Sequence, residues 1–199
     1  MKNTFVRSAI FASFVVLTIG CAFGNRKVDL TYPPKDYGQY TVDPQLSQKL
    51  GIKKIALVVV DKRSGDPKVV GAVRNGFYMR TADVVTEDKV QAWVAKAFTQ
   101  ELQRSGFSVV PQKEAQATLN VAVDSLYANA YWGYSAELIL TLNLVCGAGG
   151  SREGKIESFG SDGMNWAATS SGYGESLAKA LADSYFQARQ SYLKRELLP

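Results

Sequence analysis

Tyr134–Cys146 reads YSAELILTLNLVC. Ala136, Leu138, Leu140, Leu142, Leu144 and Cys146 share one face of an extended chain, with Ser135, Glu137, Thr141 and Asn143 largely opposite. Strict alternation with a period of two marks a strand with one side buried and the other side wetter. The preceding stretch, ATLNVAVDSLYANAY at 117–131, puts Leu119, Val121 and Val123 on one face and reads as its antiparallel neighbour, with Trp132-Gly133 at the turn. KIESFGSDGMNWAATS, 155–170, follows as a third strand, kinked at Gly160 or Gly163.

Upstream, IKKIALVVVDKR starts at Ile52 and holds six apolar residues in a row, IALVVV at 55–60. A short β-branched run of this kind predicts a central strand covered on both faces. SGDPK then turns, and VVGAVRNGFYMRTADVV reads as one or two irregular strands broken at Gly71 and Gly76. A helix follows. Thr86 is placed as its N-cap, with Glu87 and Asp88 in the first turn. Val90, Trp93, Val94, Ala97, Phe98 and Leu102 recur at three and four, and Gly106 supplies the stop. A second helix is predicted from about Glu175 to Leu197, with Leu177, Leu181, Tyr185, Ala188 and Tyr192 as its stripe. The order predicts an α+β two-layer sandwich: a mainly antiparallel sheet with two long helices on one face.

The N-terminus has a different character. MKNTFVRSAIFASFVVLTIGC begins with Lys2 and Arg7, has no acidic residue, and is dominated by apolar or small residues from Ala9 to Ile19. Such a core is short for a bilayer span, which needs about 20 apolar residues, and fits a secretory signal peptide. It ends Leu17-Thr18-Ile19-Gly20-Cys21, a small residue directly before a cysteine, which resembles a bacterial lipobox. That resemblance implies cleavage before Cys21 and acylation of Cys21. Thr18 stands where Leu is usual. Ala22-Phe23-Gly24 offers a competing cleavage site that would release a soluble chain starting at Asn25. Ala22 after the cysteine points to the outer membrane under the usual sorting rule. Residues 1–20 are thus read as signal peptide, 21–50 as lipidated cysteine and extended tether carrying Pro33, Pro34 and Pro44, and 51–199 as one domain. Within the tether, VDLTY is a candidate edge strand.

Composition narrows the chemistry. The chain has 199 residues, 46% apolar and 21% charged, with a net charge of +5, or about +3 once Lys2 and Arg7 are removed. No basic stripe with interleaved aromatics marks a nucleic-acid surface. There is no histidine, which removes Ser-His-Asp and Cys-His catalysis and histidine zinc sites. With Cys21 lipidated, Cys146 has no intramolecular partner and reads as a small buried hydrophobe. Ser-Lys and paired-carboxylate chemistry stay formally open, without a recognisable spacing. GAGGSREGKI, 147–156, loosely imitates a phosphate cradle at Gly149, Gly154 and Lys155. Ile156 follows the lysine where a phosphate loop needs Ser or Thr and a helix, so the stretch reads as a hairpin loop and no nucleotide is expected. Two further groups are candidates. Tyr127, Tyr131, Trp132 and Tyr134 surround a hairpin tip, as a partner contact or as cross-strand packing. Asp61, Lys62, Arg63 and Arg74 form either a polar site or a solvated salt-bridge group.

The lipobox-like end at Cys21, LTYPP soon after it, IALVVVDKR followed by GAVRN, ELQRSGFSVV, and ATLNVAVDSLYA leading into the long strands occur in one order. In that order they resemble the YajG family of uncharacterised bacterial lipoproteins. The resemblance implies no catalytic residues and no cofactor. The expected function is a membrane-anchored, non-enzymatic binding or accessory module of the envelope, in the outer membrane and attached to the bilayer through acylated Cys21, with Tyr131, Trp132 and Tyr134 as candidate partner contacts. A surface-exposed adhesion or ligand-binding lipoprotein and a secreted soluble periplasmic binding protein are the alternatives.

Overall fold

The computed structural model describes residues 24–32, 42–146, 150–164, 168–191 and 193. The signal peptide, Cys21, Pro33, Pro34, Tyr192 and the expected last turns of the second helix lie outside them.

Three 14-residue strands make the frame: β6 (Ala117–Ala130), β7 (Gly133–Cys146) and β8 (Ser151–Met164), paired antiparallel in sequence. The alternation that predicts β7 is realised residue by residue. Leu138, Leu140, Leu142 and Leu144 are buried, while Ser135 and Val145 are exposed. Rows cross the sheet in register: Val121 beside Leu142, and Val123 beside Leu140 and then Ile156. The free edge of β6 is shared. β2 (Lys54–Asp61) pairs parallel with its first half, and β3 (Val69–Arg74) pairs parallel with its end. β5 (Ser108–Val109) flanks β2, whereas β4 (Arg80–Val85) and β1 (Arg26–Lys27) continue outward from β3. The result is an eight-stranded, mostly antiparallel open sheet whose three shortest pairings, β1–β4, β2–β5 and β3–β6, are parallel.

Helices α2 (Val90–Arg104) and α3 (Ser170–Ser191) cover one face, as the pattern predicts; the short α1 (Leu46–Leu50) precedes β2. All six predicted stripe residues of α2 are buried, as are Leu177, Leu181, Tyr185 and Ala188 of α3. Burying a side chain of this size contributes about 1.5–3 kcal/mol relative to leaving it exposed. Phe98 and Tyr185 meet edge to face at 5.5 Å and join the helices. Gly106, with φ of 86°, ends α2 in the left-handed conformation expected of it.

Five expectations change. α2 begins at Val90, with Lys89 at its cap position; Thr86 instead accepts the Asp88 amide at 3.1 Å in a turn ahead of the helix. α3 begins five residues early, through Gly172 and Gly174, because tertiary packing overrides the poor helix propensity of glycine. β2 is central but covered on one face only: Val58 and Val60 are 37% and 42% exposed on the side that carries no helix. Gly71 lies inside β3 rather than ending it, beside a slip in the pairing with β4, and Gly163 lies inside β8, where the pairing with β7 slips by one residue and gives the expected irregularity. β8 starts at Ser151, inside the predicted GAGGSREG loop, and the Cys146 amide donates to Gly150 O; residues 147–149 lie outside the described residues.

The segment read as a tether lies on the domain in its described part. Only Arg26–Lys27 forms a strand; VDLTY follows it as irregular chain. Val28 is buried, the Trp93 indole donates to Thr31 O at 3.1 Å, and the Tyr32 hydroxyl donates to Glu101 at 3.1 Å. Leu46, in α1, is buried as well. The physical reason is apolar: Val28, Leu30, Tyr32 and Leu46 join the core cluster, and a solvated tether would leave them in water.

Candidate functional site

The β3–β4 and β6–β7 turns converge at one end of the sheet. The β3–β4 turn, Asn75–Met79, is built around one side chain. Asn75 Oδ1 accepts the amides of Phe77 and Met79, both at 3.0 Å, and Asn75 O accepts the Tyr78 amide at 2.9 Å. Tyr78 takes φ of 64°, a left-handed conformation costly for a bulky residue, so the turn is held by these bonds. The Arg74 guanidinium lies 4.4 Å from the Tyr78 ring centroid and donates to Tyr78 O and to the Tyr127 hydroxyl. The β6–β7 turn locks onto it: Tyr131 meets Tyr78 edge to face at 5.1 Å and donates its hydroxyl to Gly76 O, while Trp132 stacks on Tyr131 at 5.3 Å.

The product is a hydrogen-bonded aromatic tip whose largest apolar groups face water. Phe77 is 86% and Trp132 80% exposed, with Tyr78 and Met79 more than half exposed. Of the predicted contact residues, Tyr131 and Trp132 belong to this tip. Tyr134 does not: it is buried, stacks edge to face on Tyr173 at 5.1 Å, and its hydroxyl bonds Thr169. Strand alternation turns Tyr134 inward, two positions from the exposed Trp132 and across the turn. Phe77, Tyr78 and Met79 went unassigned to any site in the sequence. Their signal was present in NGFYMR, three consecutive large side chains after a turn dipeptide.

The second predicted group divides. Arg63 grips Asp61 with Nε and Nη2 at 2.9 and 2.8 Å and also donates to Val69 O and Pro67 O. Burial pushes the Asp61 carboxyl up, but these Arg63 bonds outweigh it and hold the group below the ordinary carboxylate value. Arg74 belongs to the tip instead. Beside the Asp61–Arg63 pair lies a cleft of about 510 Å³, lined by Arg63, Asp66, Arg80, Asp83, Asp124 and Tyr127 among others. It opens where β2 leaves β6 and β3 takes over, at a register shift between Val123 and Ser125. Its charges answer one another: Asp124 accepts the Thr141 hydroxyl at 2.6 Å, and Arg80 pairs with Asp83. Of the predicted group, Asp61 and Arg63 are thus the pair that salt-bridges in the fold.

Elsewhere, Lys155 sits mid-strand opposite Thr141 in β8, where a phosphate loop needs its lysine to open a helix. Cys146 is half-buried, and burial pushes its thiol up, away from the thiolate a nucleophile needs. On the helix-free sheet face Glu137 is pushed up, by burial first and then by Glu157 close by.

A model of the family described as uncharacterized lipoprotein matches residues 41–139, from just ahead of α1 to the middle of β7. No curated protein matches the chain. Among solved structures, a Xanthomonas campestris protein of the DUF330 family is similar at 12% identity and a TM-score of 0.45, over 85% of this chain and 97% of that one. A second, described only as an uncharacterized protein, is similar at 14% identity and a TM-score of 0.45, over 83% and 98%. Among the described residues no helix is long and apolar enough to cross a membrane. From residue 41 to residue 139 the chain is thus similar to a family of uncharacterised lipoproteins, in keeping with the resemblance that the order of its motifs carries.

Proposed function

We propose that the chain is a lipid-anchored, non-enzymatic binding or accessory module of the bacterial envelope, held in the outer membrane through acylated Cys21. The observation that carries this reading is a lipobox-like sequence ending at Cys21 in a chain whose folded part matches a lipoprotein family. The acyl chains would hold it durably, since each buried CH₂ contributes about 0.8 kcal/mol and stable anchoring takes more than one chain. The groups a hydrolase would recruit have other partners: Asp61 is gripped by Arg63, and Lys155 lies within a strand.

The test is the intact mass of the N-terminus recovered from membranes, wild type beside Cys21→Ser. An acylated Cys21, lost from the variant together with membrane retention, is the expected result. A free chain beginning at Asn25 would make it a diffusible binding protein and sink the anchored reading. Proteolysis of intact cells separates an inward-facing module, which is spared, from a surface adhesin. Turnover of ester, peptide or glycan substrates by the purified protein would overturn the non-enzymatic part.

A further inference from the structure

The direction in which the chain enters the fold bears on the aromatic tip. β1 runs parallel to β4, with Arg26 beside Val84 and Lys27 beside Val85. One residue earlier, the Asn25 side chain accepts the Asp83 amide at 3.0 Å. β4 itself starts at Arg80, next to the tip, and runs away from it. Asn25 and Gly24, the first described residues, therefore lie toward the tip end of the sheet. From Asp83 back to Met79 is four residues, about 13 Å at strand rise. From Asn25 back to Cys21 is also four residues, and an extended chain covers about 13 Å in that number. An acyl group on Cys21 thus has the covalent reach to lie level with the tip.

The tip has the chemistry that this level of a bilayer accepts. Phe77, Met79 and Trp132 present apolar bulk, and Tyr78 and Tyr131 are amphipathic rings of the kind that settle at membrane interfaces. Residues 74–80 and 127–134 contain no acidic side chain, and the first stretch begins and ends with arginine. Entry into a low-dielectric layer requires the backbone to satisfy itself. Here the amides of Asn75, Phe77, Tyr78 and Met79 all bond within the turn, and the carbonyls of Gly76 and Tyr78 accept from Tyr131 and Arg74.

We propose that the tip formed by Phe77, Tyr78, Met79, Tyr131 and Trp132 inserts into the interfacial layer of the bilayer that holds Cys21, as a second, non-covalent foothold that fixes the orientation of the domain. The proposal rests on the anchored reading above.

The full-length mature lipoprotein is reconstituted into phosphatidylethanolamine–phosphatidylglycerol vesicles carrying shallow-brominated lipid, and tryptophan emission is compared between wild type and Trp132→Phe. The chain has three tryptophans, so the difference between the two proteins isolates Trp132. Insertion predicts that the Trp132 component is quenched at least twofold by the brominated lipid and is shielded from aqueous iodide. It also predicts that Phe77→Asp, a change at an exposed site, restores iodide access while the protein stays vesicle-bound. A vesicle-bound, acylated protein whose Trp132 is open to iodide and untouched by bromine overturns the proposal and leaves the anchor standing. A chain with unmodified Cys21 that stays in solution overturns both. Shielding of Trp132 in whole envelopes but not in protein-free vesicles would put a protein on the tip and overturn the lipid assignment.

Discussion

Gly160→Ala should be among the most damaging single-methyl changes in the protein. Gly160 sits in β8 directly beneath α3, opposite Ala136. A Cβ there would lie 1.9 Å from Ser176 O, 2.5 Å from Ala180 N and 3.0 Å from Lys179 Cβ. Two of these are backbone atoms of the helix, so no rotamer change relieves them. Ordinary contact begins at 3.4 Å, and 3.4 minus 1.9 requires α3 to retreat by 1.5 Å. A gap of 0.5–1 Å already forfeits about a quarter to a half of a van der Waals contact. The retreat would loosen Leu177, Leu181 and Tyr185 together. Overpacking a core costs about 1–3 kcal/mol where side chains can yield. With backbone on the other side the expectation is the top of that range, ~3 kcal/mol, or a fall in Tm of about 10 °C for a chain of this size. Urea and thermal unfolding by circular dichroism measure it. Gly163→Ala, three residues on in the same strand and with nothing within 4 Å, is the control, and should be neutral or stabilising by up to about 1 kcal/mol. Equal stability of the two variants would refute the claim that this glycine exists for helix–sheet approach.

Tyr173→Phe should stabilise. The Tyr173 hydroxyl is buried without a hydrogen-bond partner, its pKa pushed up to about 12 by burial, and its removal relieves a desolvation penalty of about 1 kcal/mol, readable as a higher urea midpoint. Glu137→Gln should stabilise at pH 7 and lose its advantage in acid. The folded pKa of Glu137 is raised, so the wild type is unhandicapped below the ordinary value of 4.5 and loses stability as pH rises through the raised value; removing the like-charge neighbour should recover about 0.5 kcal/mol in melts at pH 7 and nothing at pH 4. Asn75→Ala removes the acceptor of the Phe77 and Met79 amides, so hydrogen exchange at both amides should accelerate at least tenfold while global stability falls by only about 1 kcal/mol.

The parts of the fold that were legible in the sequence are those where burial writes a period. Leu138 to Leu144 alternate because one face of β7 lies under helices, and Val90 to Leu102 repeat at three and four for the same reason. Where two influences compete, the pattern misled. IALVVV looks doubly buried, but β-branched residues also suit a strand whose second face is open, and Val58 and Val60 are there. SSGYG lies ahead of the predicted helix, yet it forms its first turns, and residue 172 is glycine there because a Cβ would lie 2.3 Å from the Tyr134 ring. One feature was legible and passed over: the buried set in β6 runs Leu119, Val121, Val123 and then Leu126, Ala128, Ala130. That change of phase is the bulge at Asp124, and the polar cleft opens beside it. The tip was half legible, because its two turns are more than 50 residues apart and only strand pairing brings Tyr78 to Tyr131.

The same pairing decides which end of the molecule meets which surroundings. The first described residues and the aromatic turns share one end of the long strands, and Cys146 and Ser151 lie at the other. A 14-residue strand at about 3.4 Å per residue spans about 45 Å. With Cys21 in the bilayer and the long strands upright, β6, β7 and β8 would carry Ser151 and the start of β2 to about that height. A tether that leaves the domain free would let either end, or the open sheet face, meet a partner. In the described residues the chain from Arg26 to Tyr32 is instead bonded to β4 and α2, so an anchor at Cys21 would constrain how the domain sits. Any envelope partner is then expected to engage the end remote from the membrane or the helix-free face. A crosslinker placed at Ser151 should capture that partner, and one placed at Phe77 should capture lipid.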